Sequence, residues 1–158
     1  MARGGFFDYP TGGSASDARP ARTFLDGATL ADWSVLFNYC ERREVAAGEP
    51  LTQVGQEGRE LVIVLSGSFR VEMPSGRRGR TTTLGTISDG EVFGEIAFFD
   101  GRPRSSTVIA DVPSEVAVLT WASFERLSEV RPKLAIRILA DLGAILAGMV
   151  RRLEAANG

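Results

Sequence analysis

The sequence predicts a mainly β fold, a double-stranded β-helix or jelly-roll barrel, with one helix before the barrel and two helices after it. Between residues 42 and 121, short alternating or apolar runs are broken by turn residues, as in antiparallel barrels and sandwiches. On either side of that region the apolar residues recur at helical spacing. The length of 158 residues suits one such domain with a short appendage.

The chain opens with a segment that has no apolar period. Residues 1–23 are rich in Gly, Ser, Pro, Arg and Asp, so we expect a flexible leader there and a single domain over residues 24–158. A first helix is predicted to begin near Thr29, whose hydroxyl can accept a hydrogen bond from the amide of Asp32. The apolar residues at helical spacing along it are Leu30, Trp33, Phe37 and Cys40. Cys40 is interpreted as a buried thiol.

Two stretches define the predicted strands best. The run "ELVIVLSG" at 60–67 has no alternation, so it is interpreted as a strand covered on both faces. In "SFRVEM", Phe69, Val71 and Met73 alternate with Arg70 and Glu72, as a half-buried strand requires. The basic cluster "GRRGR" at 76–80 lies between two such segments and is interpreted as a solvated hairpin loop.

Two helices are predicted after Trp121. A short one surrounds "SFERLSEV", and a longer one opens at Pro132, a residue suited to a first helical turn. The long helix is apolar over much of its circumference. One side would pack on the barrel, and the other could pack against a second copy, which predicts a possible homodimer through residues 132–155. In the alternative, the whole apolar stripe is covered within one chain.

Composition excludes several classes of function. The chain has no histidine and one cysteine, which removes histidine-activated nucleophiles, histidine-ligated metal and disulfides within the chain. We therefore expect no catalytic residues and no metal site. A net charge of −2 with dispersed cations argues against a nucleic-acid partner. The apolar runs are too short to span a bilayer and no signal peptide is evident, so a cytoplasmic location without membrane contact is expected.

Glu95 and Arg104 stand out in the stretch "FGEIAFFDGRPRSSTVIA", residues 93–110. A short helix starting at Gly94 or Glu95 would present free amides at its N-terminus, which suit an anion. A guanidinium among barrel strands must also find an anion, because a buried unpaired charge is costly. One alternative is a Glu95–Arg104 salt bridge without a ligand. The other is a sugar phosphate, with the carboxylate accepting from hydroxyl groups and the guanidinium binding phosphate.

This stretch resembles the phosphate-binding cassette of the cyclic-nucleotide-binding domain family, whose common form is Phe-Gly-Glu-aliphatic-Ala, a short gap, then Pro-Arg, small residues and a strand. "AAGEPLTQVGQEGRELVIVLSGSFRV" is similar to the opening strands of that family, and "LGTISDGEVFGE" matches the approach to the cassette. The similarity runs from about residue 29 to 153. It implies a cyclic mononucleotide ligand, with cyclic AMP favoured and cyclic GMP left open.

The resemblance also implies roles for individual residues. Glu95 would accept from the ribose 2′-hydroxyl, and Arg104 would pair with the cyclic phosphate. Ser105 and the amides of Ile96 and Ala97 would hold phosphate oxygens, while Gly94 would let the backbone approach the sugar. The complete predicted ligand-binding set is Phe93, Gly94, Glu95, Ile96, Ala97, Arg104, Ser105 and Ser106.

Three features depart from the family pattern. Ser106 stands where the family usually has alanine, and its hydroxyl could either help to hold phosphate or crowd it. Phe98 and Phe99 replace smaller aliphatic residues. The last helix has no serine or threonine from Lys133 onward, although some bacterial relatives use those residue types to contact adenine, so the choice of base stays open.

The expected function is a cytoplasmic receptor that closes its last two helices over the ligand and signals to an unidentified effector protein. No helix-turn-helix follows Leu153, so a free-standing receiver domain is expected. The main alternative is a degenerate member of the fold that acts as a protein-interaction scaffold without a nucleotide. An enzyme is disfavoured, because no second carboxylate is placed to assist Glu95.

Overall fold

The computed structural model describes residues 24–76 and 79–158. The predicted leader, residues 1–23, lies outside the described residues, as do Arg77 and Arg78 of the predicted hairpin loop. The elements, in chain order, are α1 Leu30–Asn38, β1 Glu41–Val45, β2 Pro50–Thr52, β3 Glu60–Ser66, β4 Ser68–Pro74, β5 Thr81–Ser88, β6 Val92–Phe93, α2 Glu95–Asp100, β7 Thr107–Ala110, β8 Ser114–Thr120, α3 Trp121–Val130 and α4 Pro132–Asn157.

The strands form two antiparallel sheets of four strands each. Their orders are β1-β8-β3-β6 and β2-β7-β4-β5. The predicted fold class, mainly β with flanking helices, is confirmed. The predicted jelly roll has the form of a sandwich, because the strand ladders of the described residues make two separate four-stranded sheets.

Strand β3 is covered on both faces, as predicted. Leu61 and Ile63 belong to a core cluster shared with the helices, whereas Val62 and Val64 belong to the core between the sheets. All four side chains are at most 1% exposed. In β4, Phe69 and Val71 are fully buried and the residues between them are not, which confirms the predicted alternation.

Helix α1 begins where it was predicted to begin, but the residues that it buries differ from the predicted apolar face. Thr29 is its N-cap and forms a reciprocal capping box with Asp32. The prediction that Leu30 belongs to the apolar face is wrong, because its side chain is 89% exposed. Leu36 is fully buried, and Trp33, Val35 and Phe37 pack against the same core while partly exposed. Cys40 follows the helix and is half-buried, and burial raises the pKa of its thiol to about 12.

The two C-terminal helices pack on the sheet that contains β3. Helix α3 starts at Trp121, slightly earlier than predicted, because Thr120 caps it by accepting from the amide of Ser123. Helix α4 starts at Pro132 as predicted. Its buried apolar residues are Leu134, Ala135, Ile138, Leu142 and Met149. No helix in the described parts of the chain is long and apolar enough to cross a bilayer.

Candidate functional site

The short helix α2 begins with a main-chain conformation that only glycine adopts readily. Gly94 is the N-cap, with φ of 85° in the left-handed region. A Cβ atom at this position would lie 2.5 Å from Nη1 of Arg104 and 2.7 Å from the carbonyl oxygen of Glu60. The first helical hydrogen bond runs from the amide of Phe98 to the carbonyl of Gly94. The three preceding amides, from Glu95 to Ala97, therefore have no acceptor within the helix.

Arg104 is held in the protein interior by several contacts. Its side chain is 6% exposed, and its Nη1 and Nη2 donate to the carbonyls of Gly94 (3.4 Å) and Glu60 (3.0 Å). Nη2 also lies 3.9 Å from the Glu60 carboxylate. The main chain of Arg104 pairs with the turn at Gly55 and Gln56 through two hydrogen bonds of 2.8 Å. The guanidinium is therefore fixed beside the start of α2, and Glu60 is a partner that the sequence analysis missed.

Glu95 is fully buried, and neither of its carboxylate oxygens has a hydrogen-bond partner among the described residues. Burial raises its pKa to about 7, although its own main-chain amide and the charge of Arg104 act in the opposite direction. A hydrogen-bonded Glu95–Arg104 pair, the alternative that the sequence left open, is not formed. Orphaned buried carboxylate oxygens are rare in folded proteins and need a functional explanation.

A pocket opens between α2 and β7. Its cavity measures about 20 Å³, or about 350 Å³ when the space open to solvent is included, so a bound molecule would stay accessible from one side. Seven of the eight predicted ligand residues line it: Phe93, Gly94, Ile96, Ala97, Arg104, Ser105 and Ser106. The eighth, Glu95, is buried and does not line the pocket in this structure. The described residues contain no group of acidic and cysteine side chains arranged to hold a metal ion.

Three further pocket residues were not identified from the sequence. They are Thr52, Pro103 and Val108. Thr52 belongs to β2 and is in register with Val108 of β7, more than fifty positions away in the chain. Local periodicity does not show which strands pair, so it could not identify Thr52 or Val108 as pocket residues. Pro103 could have been identified, because it is next to Arg104 in the sequence.

The C-terminal end of α2 is tied to α3 through an arginine and an aromatic cluster. Arg59 donates from Nε to the carbonyl of Phe98 (2.7 Å) and from Nη2 to that of Phe99 (2.9 Å). The same guanidinium lies over the ring of Trp121, 3.7 Å from its centroid. The ring of Phe98 contacts those of Trp121 and Phe124 edge-on, with centroids 5.0 and 5.5 Å apart. These contacts therefore connect the C-terminal end of α2 directly to α3.

Comparisons with known proteins agree with this geometry. The family model described as "Cyclic nucleotide-binding domain" matches residues 42–130, more than half of the chain. Glutaminase 2 of Bradyrhizobium diazoefficiens is 36% identical over 115 residues, which cover 73% of this chain and 17% of that protein. The "cAMP-activated global transcriptional regulator Vfr" of Pseudomonas aeruginosa is 29% identical over 74% of this chain.

The chain spans only part of these curated relatives, 54% of the length in the case of Vfr. Among solved structures, a cyclic nucleotide-binding domain from Methylobacillus flagellatus superimposes with a TM-score of 0.71 at 26% identity. That superposition covers 77% of this chain and 68% of the other. The similarity therefore includes the strands and the cassette around α2 that form the pocket.

Proposed function

The chain belongs to the cyclic nucleotide-binding domain family, and we propose that it is a receptor for a cyclic mononucleotide with a regulatory rather than a catalytic role. The observation that carries this proposal is the pair formed by a buried carboxylate without a hydrogen-bond partner, Glu95, and a buried guanidinium, Arg104, at the start of α2. Together they supply an acceptor for a sugar hydroxyl and a fork for a phosphate.

The proposed contacts divide the pocket into a sugar side and a phosphate side. Arg104 pairs with the phosphate, and Glu95, which is buried outside the pocket in this structure, accepts from the ribose 2′-hydroxyl once the start of α2 shifts on ligand binding. The hydroxyl of Ser105 and the amides of Ile96 and Ala97 donate to the phosphate oxygens. A cyclic phosphate carries one negative charge, so a single guanidinium with neutral donors balances it. Phe93, Gly94 and Ser106 complete the wall of the pocket.

We propose cyclic AMP as the ligand ahead of cyclic GMP. The support is the similarity to Vfr, whose name describes it as activated by cAMP. The residues from Phe24 to the end of the chain form the ligand-binding domain in this proposal, because Phe24 and Leu25 are already buried at 2% and 1% exposure. The proposed location is the cytoplasm, where cyclic nucleotides act as messengers.

Signalling is proposed to run from the pocket to the C-terminal helices. The open side of the pocket needs a cover, and α3 and α4 supply it by closing when the ligand is bound. Such a closure requires that the ligand contact the closed state better than the open one. The contacts of Arg59 and Phe98 with Trp121 connect α2, which touches the ligand, to α3. An effector protein would read the new position of these helices.

A homodimer through α4 is proposed as the assembly. Five exposed residues, small or apolar, recur along the helix at alternating steps of four and three, which is the spacing of a coiled-coil seam. They are Ile136, Ala140, Gly143, Ala147 and Val150. Ile136 and Val150 are 65% and 54% exposed, so their burial would be a net gain. The occupant proposed for this seam is the same helix of a second copy.

A thermal-shift assay tests the proposed ligand. Cyclic AMP at about a hundred times its dissociation constant should stabilise the protein by roughly 2.7 kcal/mol. An unchanged melting temperature with both cyclic AMP and cyclic GMP at millimolar concentration would count against a receptor. It would favour the scaffold alternative.

A further inference from the structure

Two hydroxyl groups in the pocket make no hydrogen bond within the described part of the chain. Thr52 and Ser106 are each 6% exposed, and neither side chain has a hydrogen-bond partner among the described residues. Their oxygens also differ from those of Glu95, which are sealed inside the protein, because they remain in contact with the pocket space. Buried hydroxyls are normally paired, so unpaired ones that face a pocket indicate contact with a ligand.

The positions of the two hydroxyls follow from the alternation of buried and less buried residues between residues 104 and 108, and from the pairing of β2 with β7. Arg104, Ser106 and Val108 are buried and the residues between them are less so, which places all three on the pocket side of the chain. Thr52 lies beside Val108 on the neighbouring strand β2. The chain from residue 104 to residue 108 extends over at most about 14 Å. Ser106 is therefore two residues from Arg104 along the chain, whereas Thr52 lies beside Val108, four residues from Arg104 and toward the other end of the pocket lining.

The far end of the pocket has the chemistry of a base-binding site. The guanidinium of Arg104 donates to the carbonyls of Gly94 and Glu60, so a phosphate bound to it lies beside the start of α2 and leaves the remaining pocket residues for the rest of the nucleotide. Val108 and Ile96 provide apolar walls, and Thr52 is a polar side chain on β2 beside Val108. An apolar site with few polar groups is the usual form of a selective small-molecule pocket.

The C-terminal helix offers no substitute for this hydroxyl. From Lys133 onward the sequence has neither serine nor threonine, so a neutral hydroxyl that contacts the base comes from elsewhere in the chain, and the pocket offers those of Thr52, Ser105 and Ser106. A hydroxyl both donates and accepts, and it can therefore pair with either the amino group or the carbonyl group of a purine.

We propose that Thr52 contacts the nucleotide base and determines which base is preferred, whereas Ser106 contacts the phosphate or sugar and is indifferent to the base. This inference rests on the proposed function, since it assigns parts of the same pocket to parts of the same ligand. It makes Ser106 a helper in ligand binding and not an obstruction.

The test compares affinities for cyclic AMP and cyclic GMP by calorimetry on the full chain. Thr52→Val removes the hydroxyl and keeps the shape. We expect it to weaken binding of the preferred nucleotide about 3- to 10-fold and to change the ratio of the two affinities. Ser106→Ala should lower both affinities by the same factor and leave their ratio unchanged. Thr83→Val, on exposed β5 outside the pocket, is the matched control and should behave as the wild type.

Two further measurements separate a ligand contact from a structural role. The ligand-free Thr52→Val protein should melt at or above the temperature of the wild type, because the hydroxyl it loses has no partner. Thr52→Ser keeps a hydroxyl and should keep the wild-type ratio of affinities. A lower melting temperature for Thr52→Val, unchanged affinities, or equal losses for both nucleotides would overturn the assignment of Thr52. A wild-type protein that binds neither nucleotide would instead overturn the proposed function.

Discussion

At the scale of single residues, Glu95 carries an energetic cost that a purely structural residue would not carry. Its carboxylate is fully buried without a hydrogen-bond partner, and burial raises its pKa from 4.5 to about 7. Because the folded state holds this proton more tightly than the unfolded chain, the contribution of Glu95 to the free energy of unfolding is greatest below pH 4.5. That contribution is lost as the pH rises from 4.5 to about 7, by up to about 3 kcal/mol.

Glu95→Gln should remove this pH dependence. At pH 8 we expect the ligand-free variant to melt several degrees above the wild type, because a neutral amide is cheaper to bury than a carboxylate. At pH 4.5 and below the two melting temperatures should converge. Calorimetric melting at both pH values checks this, and cyclic-nucleotide binding by the variant should be weaker. A variant that is less stable than the wild type at pH 8 would show that the carboxylate has a structural partner.

Site residues that are close together in the sequence were predictable, whereas site residues that strand pairing brings in from distant segments were not. The "FGE" turn, the following amides and Arg104 are close in sequence, so their juxtaposition at α2 followed from the chain itself. Glu60 and Thr52 reach the same site from other strands. Their contribution depends on strand register over long separations, which is a property of the folded sheet and not of either segment alone.

At the scale of elements, the link between α2 and α3 is expected to transmit ligand binding. Arg59→Met keeps the length of the side chain and removes both the hydrogen bonds to α2 and the contact with the Trp121 ring. We expect a loss of about 1–3 kcal/mol in the free energy of unfolding. Ligand should also change the fluorescence of Trp121 much less than in the wild type, measured in a Trp33→Phe background.

The control for this experiment is Arg126→Met on α3, an exposed arginine whose guanidinium donates to the hydroxyl of Ser123 on the same helix. It should show the wild-type fluorescence response. If Arg59→Met binds cyclic nucleotide and responds as fully as the control, α2 does not signal through this contact.

The proposed homodimer through the seam on α4 can be tested separately. Ala147→Glu places like charges opposite each other across the proposed dimer axis, while glutamate remains a good helix former. We expect the wild type to sediment as a dimer and the variant as a monomer. Ala155→Glu, also exposed on α4 but off the seam, is the control and should leave the dimer intact. A wild type that sediments as a monomer would contradict the proposed assembly.

Sequence patterns predicted where helices begin better than which of their residues are buried. The capping box at Thr29 and the proline at the start of α4 are local signals, and both helices begin where those signals stand. Leu30 has the correct spacing for the apolar face of α1 and is nevertheless exposed, because the contacts of that helix with the core begin at Trp33. How far a helix overlaps the core depends on tertiary packing, which spacing alone does not encode.

At the scale of the whole molecule, β3 joins the two parts that a receptor must connect. One of its faces packs in the core between the sheets, and the other packs beneath the helices. The pocket lies against the first of these cores through Phe93, and the aromatic cluster of α3 lies in the second. Under the proposed function, a ligand that moves α2 would act on both of these cores.

The central claim is that the pocket beside α2 binds a cyclic phosphate through Arg104. The most direct measurement is a calorimetric titration of cyclic AMP and cyclic GMP into the wild type and into Arg104→Ala, with Arg102→Ala, at an exposed arginine two residues earlier, as the control. We expect saturable binding of one nucleotide per chain in the wild type and the control. Arg104→Ala should lose about 2–5 kcal/mol of binding free energy. Unchanged affinity in Arg104→Ala, or no binding of either nucleotide by the wild type, would contradict the claim.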